Sequence, residues 1–312
     1  MPGYTGVHVN RPLTNVSLYY VNPGYVAEDV APQVKVVKES DLYFIYGKEH
    51  FRVPQTFRAD RDKTRAVDYS LSTDAYVCRE YGLHQIVSDR ERDNSDEPLS
   101  PDRDAVNNIT EVLLLDREIR TANQVLSSAN FGSYATTHVQ SLALAWDNLT
   151  TANPRTDIYM AKFVVWKDSR RQANHIFLPV EVSYQLAQMD AIDELRKYTD
   201  PNLVTDSGLP PKIWGLIVKE CQATYDASAE GDTEDFNEVW GVNILITHKN
   251  PGTIGIKTLT FAITFMSQAF QTRKWRENGI KGDFIEVDHR YDVKVIAPAC
   301  GFVYTNALTS AA

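Results

Sequence analysis

The amino-acid sequence predicts an α+β fold, and three observations carry that expectation. One long amphipathic helix begins at Pro101. Short apolar runs of strand length lie before and after it. No regular strand–helix alternation joins them, so a doubly wound parallel sheet is not expected. The 312 residues suffice for substantial buried cores and for two domains. Apolar content of 43% and charged content of 23% are ordinary for a globular chain.

Residues 1–40 read as an extended arm. Pro12, Pro23 and Pro32 punctuate it, and each turns the residue before it away from helix. The arm also carries Leu18, Tyr19, Tyr20, Val21, Tyr25, Val26, Val30, Val34, Val36 and Val37. Such a surface needs a cover, either a neighbouring molecule or its own domain with the arm as an added strand.

Residues 41–87 read as a hairpin-like segment without a core. Leu42-Tyr43-Phe44-Ile45-Tyr46 leads out, and residues 69–77 return, followed by Tyr81-Gly82-Leu83. The tip between them is basic, with Arg52, Arg58, Arg61, Lys63 and Arg65. A two-stranded ribbon alone is at best marginally stable in water. A long one is expected to rest on another molecule, which points to assembly rather than catalysis.

Residues 88–100 are dense in Asp, Glu and Arg and read as solvated. The helix at Pro101 is expected to reach about residue 128. Ser100 suits the cap, Pro101 the first turn, and Asp102 and Asp104 the positive end of the dipole. Val106, Ile109 and Leu113 form one stripe, extended by Val112, Leu115, Ile119 and Leu126. A second helix is expected over 154–171, a buried strand over 174–179, and a third helix over 179–197. Strands follow at 216–218 and 242–246, with an exposed acidic loop at 226–238 between them. Residues 258–270 alternate loosely, and 291–296 reads as the last strand.

Composition excludes several roles. Net charge is −9, which disfavours generic polyanion binding. Cys78, Cys221 and Cys300 are far apart and form no Cys-x-x-Cys pair, so they read as buried free thiols of a reducing compartment. No apolar run approaches a membrane helix, and the first residues lack a signal pattern. No phosphate loop or Gly-x-Ser-x-Gly elbow occurs. The seven histidines are scattered without metal-ligand spacing. Asp102 and Asp104 read as helix-capping acids, and Asp232, Glu234, Asp235 and Glu238 as a solvated loop. Arg273-Lys274-Trp275-Arg276 mixes base and aromatic, and in an acidic chain reads as an interface or structural stretch. No catalytic, cofactor-binding or metal residue is expected.

An ordered set of segments remains: residues 20–27, Val37-Lys38-Glu39-Ser40, residues 69–74, Pro101-Asp102-Arg103-Asp104-Ala105, Lys197-Tyr198-Thr199, Trp240-Gly241 and Ala299-Cys300-Gly301-Phe302. In that order they resemble the tailed-bacteriophage major capsid proteins of the HK97-like fold, over nearly the whole chain. The resemblance implies an N-terminal arm (1–37), an extended E-loop hairpin (38–87), a peripheral domain with a long spine helix (88–172 and 288–312) and an axial domain (173–287). It implies a structural, non-enzymatic subunit of pentamers and hexamers in an icosahedral shell around double-stranded DNA. The shell would be assembled in the host cytoplasm and form the virion capsid. Implied partners are other copies and non-specifically held DNA, with a separate scaffolding protein, a portal and decoration proteins as further candidates. No cofactor and no membrane are implied. Intersubunit contacts are expected at the tip (Arg52, Arg58, Arg61, Lys63, Arg65) and along the arm (Tyr19, Tyr20, Tyr25, Val26). Acids of residues 89–104 are expected to complement the tip. Some relatives carry a cleaved scaffolding segment, whereas here the arm begins at once. The alternative is an encapsulin-like nanocompartment shell enclosing cargo enzymes, and a stand-alone enzyme is the remaining class.

Overall fold

The computed structural model describes residues 22, 24–46, 53, 56–58, 60–61, 63–64, 66, 71–95, 100–197, 204–205, 207–228, 231–252 and 258–309. A short helix α1 (Ala27–Val30) and strand β1 (Gln33–Lys35) come first. Strands β2 (Ser40–Tyr46) and β3 (Leu71–Val77) pair antiparallel, Ser40 opposite Val77. Strand β4 (Arg79–Ser88) and helix α2 (Asp89–Asp93) lead to the long helix α3 (Pro101–Leu126). Helix α4 (Ala135–His138), strand β5 (Val139–Ser141) and helix α5 (Pro154–Ser169) follow. Strand β6 (His175–Pro179) runs into helices α6 (Val180–Ala187) and α7 (Asp190–Arg196). Next come β7 (Lys212–Ile213), β8 (Leu216–Cys221), β9 (Thr224–Asp226), β10 (Phe236–Glu238) and β11 (Ile244–Thr247). Strands β12 (Ala262–Glu277), β13 (Gly282–Val295) and β14 (Gly301–Thr305) complete the described chain.

Two larger sheets organise these elements. A mixed six-stranded sheet has the order β5-β14-β11-β6-β8-β7. Successive strand residues point to opposite faces, and here both faces are apolar. Ile176, Leu178, Ile244, Ile246, Phe302 and Tyr304 pack with Ile158, Ala161 and Val165 of α5. Phe177, Leu245 and Val303 pack on the other side with Trp240, Phe131, Val125 and Val26. Gly301 is required on β14, since a Cβ there would run into the Phe261 ring.

The second sheet has the order β1-β12-β13-β4. Helix α3 lies against it through residues at roughly helical repeats. Ala105 meets Val87 and Ile285, and Ile109 and Leu113 meet Val287. Each large apolar side chain buried this way contributes about 1.5–3 kcal/mol.

Several expectations are corrected. Ser100 makes no side-chain cap; its N–H donates to the Asp104 carboxylate at 3.1 Å. The helix expected over 179–197 is two helices, because Met189 takes an extended conformation and buries its side chain among Ile192, Leu186 and Leu209. The acidic stretch at 226–238 is bracketed by a paired hairpin, β9 with β10. The loose alternation at 258–270 belongs to a strand running to Glu277, and the strand expected at 291–296 begins at Gly282. The outer halves of this pair look like loop in sequence because they carry charge. Arg273 faces Glu286 and Arg276 faces Asp283 across the strands, and cross-strand pairs rather than apolar alternation hold them. The expected domain boundary at 287/288 falls inside the continuous strand β13. Strand β4, expected as the end of the hairpin, pairs with β13 from Gly282–Ser88 to Tyr291–Arg79.

Candidate assembly surfaces

The arm from Tyr25 onward docks on its own chain, and one carboxylate organises the junction. Glu118 of α3 is fully buried. It accepts the N–H of Val26 at 3.1 Å, the N–H of Ala27 at 2.9 Å and the Trp240 indole N–H at 2.8 Å. Burial pushes the Glu118 carboxyl up, against these three donors and Arg117, which hold it down. Next to it, Arg117 reaches Glu28 at 2.9 Å. Asp29 holds Lys219 at 2.8 Å and Lys249 at 3.1 Å. Its burial works to raise its pKa, and the two lysines overcome that and leave it low. Strand β1 then runs parallel to β12, Val34 beside Phe265. Val26 thus packs in its own chain's core, and the Tyr25 hydroxyl lies 3.3 Å from the Glu111 carboxylate of α3. Of the arm, the alternative cover, a strand added to its own domain, holds for 33–35. Tyr19 and Tyr20 lie outside the described residues.

The β2–β3 hairpin has a rooted base, which corrects the expectation of a segment without a core. Tyr43 and Tyr76 sit on Phe265, with ring centroids 5.6 and 4.4 Å away. Val34, Val36 and Ile263 close that cluster. The Tyr43 hydroxyl donates to Asp74 at 2.8 Å, and the N–H of Val77 donates to Asp292 at 2.9 Å. Arg290 clamps Glu39 at 2.7 Å and Glu80 at 3.0 Å. The opposite face of the ribbon is open: Leu42, Phe44 and Val77 are all more than half exposed. At the tip, Arg58, Arg61 and Lys63 are exposed, as are the apolar Val53 and Phe57. Arg52 and Arg65 lie outside the described residues.

Of the acids expected to complement the tip, Asp89 and Asp102 are engaged within the chain. Arg92 holds Asp102 at 2.7 Å and Asp283 at 2.8 Å. Lys274 holds the same two acids at 2.7 and 3.2 Å. Arg276 grips both Asp89 oxygens at 2.5 and 2.6 Å. Trp275 stacks on Phe284 at 5.4 Å. The Arg273–Arg276 stretch is therefore neutralised by its own sheet and by Asp89 and Asp102.

All three cysteines are buried free thiols, and burial raises each of them. Among the described residues, no group of three His, Cys, Asp or Glu is placed to hold a metal ion, and no helix is long and apolar enough to cross a membrane. Sequence reasoning missed the Glu118 junction. Its one signal is an acid inside an apolar stripe; the partners, backbone N–H groups about ninety residues away, leave no mark in the sequence.

No family model matches the chain. The major capsid protein of Burkholderia phage BcepMu is 27% identical over 243 residues, 77% of this chain and 76% of that protein. A major capsid protein of Pseudomonas phage JBD67 is 29% identical over 136 residues, 43% of each. Among solved structures, a phage-related protein from Bordetella bronchiseptica matches with a TM-score of 0.69 at 19% identity, over 92% of this chain and 93% of that one. The capsid of cyanophage P-SCSP1u matches at 0.61 and 9% identity, over 88% and 85%. An encapsulin of Synechococcus elongatus matches at 0.58 and 12%, over 95% of each chain. The structural likenesses show a shared fold.

Proposed function

We propose that this chain, a phage major capsid protein of the HK97-like fold, closes into an icosahedral shell of pentamers and hexamers that encloses double-stranded DNA. The observation that carries the reading is the β2–β3 hairpin. Its base is packed on Phe265, while its outer face and basic tip are exposed. A ribbon of this kind gains stability from a surface outside its own fold. Residues 1–21 would be the part of the arm that reaches a neighbour, since 25–35 dock on α3 and β12. The E-loop corresponds to β2, β3 and the residues between them. The peripheral domain takes α3 with the four-stranded sheet, and the axial domain the six-stranded sheet.

Function in this reading is structural and non-enzymatic. A shell subunit needs several modest interfaces, of about 1,000–2,000 Å² each. Arms and loops that wrap neighbours raise the effective concentration of the remaining contacts. Net charge of −9 keeps the lining from gripping DNA tightly, because attraction to phosphates scales with the cations presented. Scaffolding, portal and decoration proteins are the expected further partners, and the virion capsid the expected location. An encapsulin-like compartment shares the fold; the two sequence relatives are phage capsid proteins, which favours DNA as cargo.

Electron cryomicroscopy of the expressed protein, alone and with its scaffold, tests the proposal. Closed particles with five- and six-fold capsomers are expected, and in phage lysates nuclease-protected DNA inside them. A compact monomer under every assembly condition overturns the shell. A bound enzyme cargo without DNA overturns the phage assignment of the contents.

A further inference from the structure

We infer that the outward face of α5 is a docking surface for a second copy of this chain, whose β9–β10 hairpin seats Phe236 among Tyr159, Phe163 and Trp166. The inference rests on the shell reading and names one contact within it.

Helix α5 has two unlike faces. Ile158, Ala161 and Val165 are fully buried on the six-stranded sheet. The outward side carries Tyr159, Met160, Phe163 and Trp166 at positions i, i+1, i+4 and i+7. Met160 is 56% and Phe163 55% exposed, and the other two are more than two-fifths exposed. Scattered exposed apolar residues are normal, but four large ones on one helix face mark an interaction surface.

The face is also cationic. Lys162 lies 5.4 Å from the Tyr159 ring, Arg155 6.0 Å from it, and Arg170 5.4 Å from the Trp166 ring. Lys167 and Arg171 are exposed beside them. The helix's own acids turn away. Asp157 accepts the Trp146 indole N–H at 3.0 Å, and Asp168 lies 3.0 Å from His138. A basic aromatic face on a chain of charge −9 selects an acidic partner with a ring to bury.

The chain supplies such a partner. From Glu220 to His248 it contains no Lys or Arg, and it carries Glu220, Asp226, Glu230, Asp232, Glu234, Asp235 and Glu238. Asp226 accepts the N–H groups of Ser228 and Asp235 at 2.9 and 3.0 Å, which holds Asp226 and Asp235 together, and Asp232 and Glu234 are exposed near them in the chain. Phe236 beside them is 66% exposed.

These two surfaces cannot meet within one copy. Helix α5 covers the sheet face of Ile176, Ile244 and Phe302. The hairpin returns through Val239 to Trp240, which packs on the opposite face with Phe177, Leu245 and Val303. Two complementary patches on opposite sides make a heterologous contact, and such a contact closes into rings when the rotation permits. A ring is what a capsomer requires.

Photo-crosslinking in assembled particles tests the contact without assuming a register. Phe163 is replaced by benzoylphenylalanine in shells assembled from equal amounts of light and nitrogen-15-labelled chains, and crosslinked peptides are read by mass spectrometry. Light–heavy crosslinks from position 163 to residues 231–238 are expected. Crosslinks to any other segment or to nucleic acid, or none in particles that form, overturn the inference while leaving the shell reading intact. If wild-type chains form no particles, the shell reading itself fails. Charge reversal gives an independent measurement that needs no probe at the face. Lys167→Glu with Arg170→Glu should slow assembly at least tenfold at low salt. Adding Asp232→Lys, Glu234→Lys and Asp235→Lys should restore it to within about threefold. Absence of that rescue also overturns the inference.

Discussion

Glu118 and Trp240 meet in full burial, the carboxylate accepting the indole N–H at 2.8 Å while the same carboxylate receives two N–H groups of the arm. The long helix, the arm and the loop before β11 are thereby tied at one point. Glu118→Ala leaves three buried donors without an acceptor. The expected cost is about 3–5 kcal/mol, measured by chemical denaturation of the unassembled subunit. A loss below about 1 kcal/mol would show that water or a shifted side chain replaces the carboxylate.

How much of this was legible follows from the range of the signal. Helix α3, helix α5 and strand β6 were readable because their periodicity is local: Ile109 and Leu113, or Ile158 and Val165, announce a buried stripe within a few turns. The hairpin was readable from Leu42–Tyr46 and the basic tip, but its seat was not. Phe265, which receives Tyr43 and Tyr76, lies about 220 residues beyond the first and about 190 beyond the second. The charged outer half of β12 hides for the same reason, since Arg273, Lys274 and Arg276 each meet an acid from another strand or helix. At Val26 the sequence left two covers open, a neighbour or the chain itself, and only the backbone path to Glu118 distinguishes them.

Truncation of the arm separates its two parts. Removing residues 1–21 should leave the subunit folded and impair or misdirect assembly. Removing residues 1–37 deletes Val26, Val30, Ala31 and Val34 from the core as well as the two backbone donors to Glu118. That variant should lose its cooperative unfolding transition. Circular dichroism melts of both, with light scattering for assembly, decide the matter. Normal shells from the shorter deletion would deny the arm an intersubunit role.

Acid should weaken the seat of α3 on its sheet through His289. This side chain is fully buried, stacks on Phe270 at 4.3 Å, and has neither ring nitrogen hydrogen-bonded among the described residues. Burial first, and then Arg117, depress its pKa to about 4, with Arg120 acting the same way and Asp116 and Asp288 opposing. The folded pKa lies below the unfolded 6.5, so the unfolded chain takes up the proton first. Stability is therefore full above pH 6.5 and falls as pH drops towards 4, by up to about 3 kcal/mol. His289→Phe should flatten that stretch of the pH–stability curve. An unchanged acid slope would place the sensitivity elsewhere.

Glu238 should act in the opposite sense. Burial, and then the charge of Glu181, raise its carboxyl to about 7. A folded pKa above the unfolded value means that stability falls as pH rises from about 4.5 to about 7. Glu238→Gln removes this loss and should stabilise the subunit at pH 8 by on the order of 1 kcal/mol, since the side chain is only half-buried. Equal stability of the two proteins at pH 5 and a gap at pH 8 is the expected pattern in thermal melts.

At the hairpin tip, Arg58 and Arg61 are exposed. Exposed ion pairs contribute only about 0–1 kcal/mol each, so their role is to steer and set register rather than to hold. Reversing both to Glu replaces attraction to an acidic neighbour by repulsion. Such rim changes act mainly on association rate and its salt dependence. Arg58→Glu with Arg61→Glu should therefore assemble slowly. Raising the salt should restore part of the rate, because screening already limits the repulsion to about 8 Å at 0.15 M and shortens it further above that. Circular dichroism of the subunit should not change, since Tyr43 and Tyr76 keep the base seated on Phe265. Time-resolved light scattering across a salt series distinguishes the outcomes. Wild-type kinetics at every salt concentration would mean that the tip meets no acidic neighbour during assembly.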